Sequence, residues 1–438
     1  MSEPTLDTSA PPRSPLLRPF APHVPLILYG LLVTAYFFSN FFRISAAVLL
    51  PRLAVELGMT AAATGFISSL FFYTYGAVQP LCGALNDRFG PLKVGGIGMG
   101  ICALGVGLFL VADTPFLLGT ARLLTGLGVA PIFSGVLVHQ ANALPRERYA
   151  AFTGITVAVG NLGAVVSVAP LGTALDAWGR GPVFAALTLV SLALGGFFFL
   201  TRRDDPVVLH HQRQDASAPV PLLEGLTLGF RILARSRSIR VATLIWASLV
   251  GALLSLQGLW GVAWFETAYG CSPAQARFWA TLLGVGMMAG TLWGGRVAAR
   301  GGGRVGVFAR TCAAVGGTWV LFWACMALRL PLWVSGVAGG LIGVTTGVAV
   351  ILCNAALNDL VGRERIGSLL GTANLTVFVS VILCQWGTGA VLGLLPGARP
   401  GLYHPGGFLL SYGVLIGLLF LCFLPLRTVR SFKDETVR

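Results

Sequence analysis

From about residue 25 onward the chain runs in apolar stretches of roughly 20 residues or more, separated by short polar or glycine-rich breaks. Such runs lack the alternation of a half-buried strand and the single apolar stripe of a soluble helix. They suit a bilayer core, where a span about 30 Å long needs about 20 apolar residues. The pattern predicts spans over 25–50, 61–85, 94–112, 115–141, 150–174 and 182–201, then 239–264, 275–298, 306–328, 331–357, 366–394 and 407–426. The expected fold is an all-α integral membrane protein with twelve transmembrane helices in two six-helix pseudo-symmetric halves. An N-terminal tail (1–24), a first bundle (25–201), a polar link (202–238), a second bundle (239–426) and a C-terminal tail (427–438) follow from it. The halves repeat one another. GALNDRFGPLK, from Gly83 to Lys93, returns in degenerate form as GRVAARGGGRV from Gly295, and Gly58-Met59-Thr60 returns as Gly270-Cys271-Ser272. Arg146-Glu147-Arg148 is echoed by Arg363-Glu364-Arg365, so each copy reads as one structural unit.

Composition supports the membrane reading, since 55% of residues are hydrophobic and 11% charged, against about 25% charged in a soluble domain. The net charge of +14 would suggest nucleic acid if it formed one patch, but it follows topology instead. With both termini placed in the cytoplasm, Arg and Lys crowd the inner loops and tails, and the outer loops carry only Arg52, Arg180, Arg329 and Arg399. This is the positive-inside bias of a multi-pass protein. The expected location is a plasma (bacterial inner) membrane, with lipid rather than nucleic acid as partner and a monomer as the unit. The Pro- and Ser-rich tail reads as disordered, and the first span is too long for a signal-peptide core. The link, with Arg202, Arg203, Asp204, Asp205, His210 and His211, reads as a solvated segment against anionic lipid. Most cysteines fall inside spans and form no CxxC pair, which points to neither a disulfide framework nor a metal site. There is no G-x-x-x-x-G-K-[ST] loop, and His139 has no evident carboxylate or nucleophile beside it. No cofactor and no enzymatic role are expected.

Ionisable side chains inside a membrane are costly and by default functional. No acid falls in the middle of a span, whereas Arg43 and Arg122 do lie inside, both expected about 10 Å below the outer face at 1.5 Å per residue. Two guanidinium groups without a carboxylate should attract an anion able to accept forked hydrogen bonds, a carboxylate or phosphate. The competing expectation is that each snorkels to headgroups or bonds carbonyl oxygens of a neighbouring helix. Helical spacing puts Tyr36, Asn40 and Arg43 on one face; Ser68, Tyr75 and Gln79 recur similarly, as do Gln257, Trp260 and Trp264. The candidate substrate site therefore comprises Arg43, Arg122, Tyr36, Asn40, Tyr75, Gln79, Gln257 and Trp260. Arg277 reads as an interface anchor, and Asn161, Asn354, Asn374 and Gln385 as interhelical hydrogen-bonding groups.

Two motifs carry a family resemblance over nearly the whole chain. Gly83-Ala84-Leu85-Asn86-Asp87-Arg88-Phe89-Gly90 matches the G-x-L-x-D-R-x-G loop signature of major facilitator superfamily transporters, and Arg122, Gly126 and Gly128 match their R-x-x-x-G-x-G pattern. The segments Arg43-Ile44-Ser45 and Glu56-Leu57-Gly58-Met59-Thr60 resemble the organic-anion-transporting branch. The resemblance implies a secondary active transporter working by alternating access, with an inner gate built from Gly83, Asp87, Arg88 and Gly90. Asp87 can meet the positive end of a helix of the other half, with Arg146, Glu147 and Arg148 as partners. Gly83 and Gly90 would permit a tight turn and close helix approach, and Arg88 and Lys93 would hold it on the inner face. Three departures matter. Ala299 replaces the aspartate in the second copy; the fifth span lacks the G-x-x-x-G-P-x-x-G-G pattern of drug/proton antiporters; and Leu127 stands where several organic-anion transporters carry glutamate. The expected substrate is a small organic anion, coupled to a proton or a counter-anion. A proton-coupled exporter of drugs or siderophore-like compounds is the alternative, and a receptor or membrane enzyme on the same fold are further rivals.

Overall fold

The computed structural model describes Ser14, Leu17 and residues 23–145, 148–211, 222–300, 305–360, 366–395, 397 and 403–429. The first half begins with α1 (Val24–Ile44) and α2 (Ala46–Glu56), two parts of one span, followed by α3 (Ala61–Phe89) and α4 (Pro91–Leu108). The fourth span is split into α5 (Pro115–Val129) and α6 (Ile132–Ala143), the fifth into α7 (Tyr149–Val166) and α8 (Ala169–Trp178), and α9 (Arg180–Thr201) is the sixth. The link holds α10 (Pro206–His211) and α11 (Leu222–Arg235). In the second half α12 (Arg237–Ser255) passes through a π turn at Leu256–Trp260 into α13 (Gly261–Tyr269). There follow α14 (Pro273–Ala299), α15 (Val305–Ala327), α16 (Leu332–Leu360), α17 (Ile366–Leu392) and α18 (Pro405–Phe423). Among the described residues, ten helical segments are long and apolar enough to cross a membrane, and α7 with α8, bent by 41°, makes an eleventh if the pair is one span. The helix α14 has span length at 27 residues, but its glycines, Arg277 and Arg296 lower its apolar content.

Local chemistry explains where the helices start and bend. Thr60, Thr114 and Ser236 accept a backbone N–H at the starts of α3, α5 and α12, and Ser272 forms a full capping box with Gln275 on α14. The sequence repeat is visible as a repeated turn: Gly58 (φ 62°) precedes cap Thr60, and Gly270 (φ 59°) precedes cap Ser272. Both glycines occupy the left-handed region that side chains disfavour. The fifth span bends just before Pro170, whose missing N–H cannot join the helix ladder.

Close helix contacts rely on absent side chains. A Cβ at Gly343 would stand 2.6 Å from the Met287 nitrogen, and one at Gly347 would stand 2.8 Å from the Met287 oxygen, so α16 lies directly on α14. Without a water-driven hydrophobic force between lipid-embedded helices, such backbone approach supplies the packing. The halves meet along α3 with α17, α7 with α14, and α2 with α13. Large apolar side chains such as Leu104, Leu189 and Leu418 are exposed, as a lipid-facing surface requires.

The start of the link departs from the solvated segment expected. Asp204 and Asp205 are buried. The Asp205 carboxylate accepts from the Leu92 N–H at 2.8 Å, at the N-terminus of α4, and from the Val207 N–H at 3.1 Å. Asp204 accepts from the Ser14 N–H at 3.0 Å, so Ser14 of the supposedly disordered tail is docked and buried, as is Leu17. A carboxylate removed from water needs donors, and the orphan N–H groups of a helix start provide them. Further on, α11 lies against α17 and, more lightly, α3.

Candidate substrate site and gates

The first span presents Tyr36, Asn40 and Arg43 as a connected face. Arg43 Nη2 donates to Asn40 Oδ1, and Asn40 Nδ2 donates to the Tyr36 carbonyl at 3.1 Å. The Tyr36 ring packs against Phe133 of α6, with centroids 4.9 Å apart. From α3, Tyr75 lies within electrostatic reach of Arg43 and Tyr36, stacks on Phe71 and meets the edge of Phe378 across the half-interface at 4.9 Å. Arg43 is half-buried and its Nε is buried without an acceptor. Among the described residues no carboxylate pairs with it. It also lies deeper along its helix than expected. The span continues to Glu56, leaving 13 residues or about 20 Å of helix beyond Arg43.

Arg122 has the opposite surroundings and is not the second free guanidinium expected. It is 1% exposed, its Nη1 donates to the Phe42 carbonyl and its Nη2 to the Ser68 carbonyl, each at 3.0 Å, and it lies 4.7 Å from the centre of the Phe71 ring. A buried cation needs acceptors, and main-chain oxygens with spare lone pairs supply them here. One of these belongs to the residue before Arg43. The break at Ser45, whose Oγ also donates to Phe42 O at 2.9 Å, leaves that carbonyl approachable. Gln79 donates to the Ala130 carbonyl at 3.4 Å, beside the α5–α6 break. Gln257 is buried in the π turn opposite Gly284, where a Cβ would come within 3.0 Å of its Nε2. Trp260 is fully buried in the second half: its Nε1 donates to Thr388 Oγ1 at 3.0 Å and its ring packs on Tyr403 and Phe408. All three of these partners belong to the second half.

At the inner end, Asp87 and Arg88 are exposed in the last turn of α3, and Asp87 is engaged by a partner. Arg88 and Lys93 both lie over the Phe89 ring, at 5.3 and 5.1 Å. Gly90 caps the turn with φ 85°, and a Cβ there would stand 2.6 Å from Asp205 Oδ2. Gly83 differs from expectation. It lies inside α3 with open space where a Cβ would project, because the helix continues to Phe89 before turning. Arg146 and Glu147 lie outside the described residues, and Arg148 is exposed at the start of α7.

The outer ends hold a constellation that sequence reading missed. Arg277 is not an interface anchor: it is 2% exposed, crosses between the halves over Gly172 of α8, and pairs with Asp176. Arg52 of α2 pairs with the same carboxylate at 2.8 Å. Nearby, a Cβ at Gly65 of α3 would be 3.4 Å from Gly389 of α17, and one at Gly389 would be 2.6 Å from the Ala61 oxygen. The halves are in backbone contact on the outer side. Asn161 of α7 donates to Thr291 of α14 at 3.3 Å, and Gln385 donates to the Leu254 carbonyl at 3.0 Å, the interhelical bonding expected of both.

Comparison with known proteins places the fold. Residues 32–384 match the family described as the Major Facilitator Superfamily. A probable sulfoacetate transporter, SauU, of Cupriavidus necator is 26% identical over 249 residues, 56% of this chain and 54% of that one. An uncharacterized MFS-type transporter of Burkholderia pseudomallei is 28% identical over 190 residues, 40% of this chain and 45% of that one. The alignments thus span about half the length of these relatives. Among solved structures, an inward-facing, unoccupied bacterial homologue of the human lysosomal transporter Spinster aligns with a TM-score of 0.71 at 15% identity, over 92% of this chain and 97% of that one. The nucleoside transporter NupG aligns with a TM-score of 0.69 at 17% identity, over 92% and 99%. At these identities the structural likeness extends to the fold alone.

Proposed function

The chain belongs to the Major Facilitator Superfamily, and we propose that it moves a small organic anion, a carboxylate or phosphate ester, across a bacterial inner membrane by alternating access. The observation that carries this reading is Arg43, a half-buried cation inside a span with an unsatisfied Nε and no carboxylate partner among the described residues. A cation so placed is costly unless an anion completes it. A substrate carboxylate or phosphate accepts from the Arg43 fork, with Asn40, Tyr36, Tyr75, Gln79 and Gln257 around it. Arg122 acts as a positioning residue: it holds the Phe42 carbonyl and so fixes the turn that presents Arg43. Neutralising Arg43 removes the electrostatic cost of enclosing it, which lets bound substrate favour an occluded state. Trp260 serves packing within the second half in this reading. The probable sulfoacetate transporter among the relatives is named for a substrate of the same chemical class.

The test is thermal unfolding of the purified protein against carboxylates, sulfonates, phosphate esters, peptides and cationic drugs. A ligand at 100 times its Kd stabilises by about 2.7 kcal/mol. The proposal expects one anion class to raise Tm in the wild type and not in Arg43→Gln. Equal stabilisation of both proteins by neutral or cationic compounds would sink it.

A further inference from the structure

Four charged side chains line a cavity of about 520 Å³ between the halves: Arg52, Asp176, Glu266 and Arg277, among apolar walls that include Val48, Pro51 and Val262. Arg52 and Asp176 belong to the first half, on α2 and at the end of α8; Glu266 and Arg277 belong to the second, on α13 and α14. Each half therefore owns one cation and one anion. With the outer ends in contact, however, Asp176 takes both arginines, and the Glu266 carboxylate forms no hydrogen bond or ion pair among the described residues. Arg277, almost fully buried, also leaves its Nε without an acceptor on this cavity.

Separating the halves would reverse the pairing. Arg52 would stay with Asp176, while Arg277 would withdraw over Gly172 and be left on the same half as Glu266, within whose electrostatic reach it already lies. The open arrangement then has two pairs and no lone charge, whereas the closed one strands a half-buried carboxylate. Desolvation of an unpaired carboxylate favours its neutral form, and a salt bridge favours the charged form. Closure and protonation of Glu266 are therefore linked, because whichever proton the closed state holds more tightly also stabilises closure.

We propose that Glu266 is the site of a coupling proton and that its protonation from the outer side closes the outer gate. The step is a simple acid–base one: a proton from outer water adds to a Glu266 carboxylate oxygen, Arg277 is released to Asp176, and the halves meet. The other groups facing Glu266 are Arg52 on α2, Tyr403 before α18, and the Cys271 thiol just past α13. Glu56 on α2 and His404 before α18 complete the ionisable groups near the outer ends of the elements packed on it. The inference rests on the alternating-access reading and supplies what that reading lacks, a coupling ion for a chain without an acid in mid-span.

The test reads gate separation without any substrate. Spin labels replace Phe116, at the outer start of α5, and Leu328, just past the outer end of α15, both exposed, in a background with the native cysteines replaced. Distances are measured in lipid nanodiscs between pH 5 and 8. One-proton linkage predicts an open-to-closed ratio that rises with pH by up to about tenfold per unit. Glu266→Gln, which mimics the protonated acid, should stay closed throughout, and Asp176→Asn and Gly172→Leu should shift toward open at every pH. If Glu266→Gln titrates like the parent, or the parent distance ignores pH while Gly172→Leu opens it, the gate exists and Glu266 is not its proton switch. If no variant and no pH separates the labels, the alternating-access reading itself fails at this end. The anion site at Arg43 is read separately, by the thermal shifts.

Discussion

Arg43 and Arg122 carry the same group into the same membrane, and what distinguishes them is which acceptors reach each one. Arg122 donates from both terminal nitrogens to the Phe42 and Ser68 carbonyls and, like Arg43, keeps only its buried Nε without an acceptor, so Arg122→Gln removes two charge-assisted hydrogen bonds, each worth about 1.5–3 kcal/mol, and should lower Tm without ligand present. Arg43→Gln should leave the ligand-free stability within about 0.5–1 kcal/mol of wild type and abolish only the ligand-induced rise in Tm. Unfolding scans with and without the stabilising anion separate the two; an unchanged Tm in Arg122→Gln with a lost ligand response would exchange their roles. The residue types were legible in the sequence, because charge inside an apolar run stands out. Their division of labour was not, since main-chain acceptors exposed at a helix break leave no mark on residue identity. Gly90 offers a second test at this scale. Its positive φ and the nearby Asp205 carboxylate should make Gly90→Ala cost about 1–3 kcal/mol. Asp205→Ala should relieve the steric part, so a double-mutant cycle by denaturation should show coupling, and strict additivity would reject the contact.

Helices were the most legible elements, because an apolar run of span length admits few other structures in lipid. The spans read from residue pattern match helices along the chain, with the first continuing from 50 to Glu56 past Pro51. What the pattern hid were the interruptions at Ser45 and in the π turn at Leu256–Trp260, whereas the one at Ser167–Val168 goes with Pro170. The glycines of α14 and α16 show how packing acts at this scale. Gly343→Leu would drive a side chain into the α14 backbone, so it should abolish a monodisperse, folded species on size-exclusion chromatography. Gly317→Leu on α15, where a Cβ meets nothing within 4 Å, should elute and melt like wild type. Equal behaviour of the two variants would mean that α14 and α16 do not depend on backbone contact.

At the scale of the molecule, the outer gate consists of groups that are far apart in sequence and unremarkable singly. Arg52, Asp176, Glu266 and Arg277 all sit at span ends, where charge is ordinary, and only the meeting of two halves gives them a shared role. For that reason the gate escaped sequence reading even though the duplication that builds it did not. If the halves must part here for substrate to pass, a covalent bond in place of the Arg277–Asp176 pair should stop transport without disturbing the site around Arg43. Asp176→Cys with Arg277→Cys, in a background whose native cysteines are replaced, provides the attachment points for a short, cleavable bismaleimide. After linking, uptake into proteoliposomes of the anion that stabilises the wild type should fall to background, while that anion still raises Tm of the linked protein in detergent. Cleaving the linker should restore uptake. Undiminished flux through the linked protein would show that substrate does not pass between these two ends, and the rocking of two halves would then have to give way to a path within one of them.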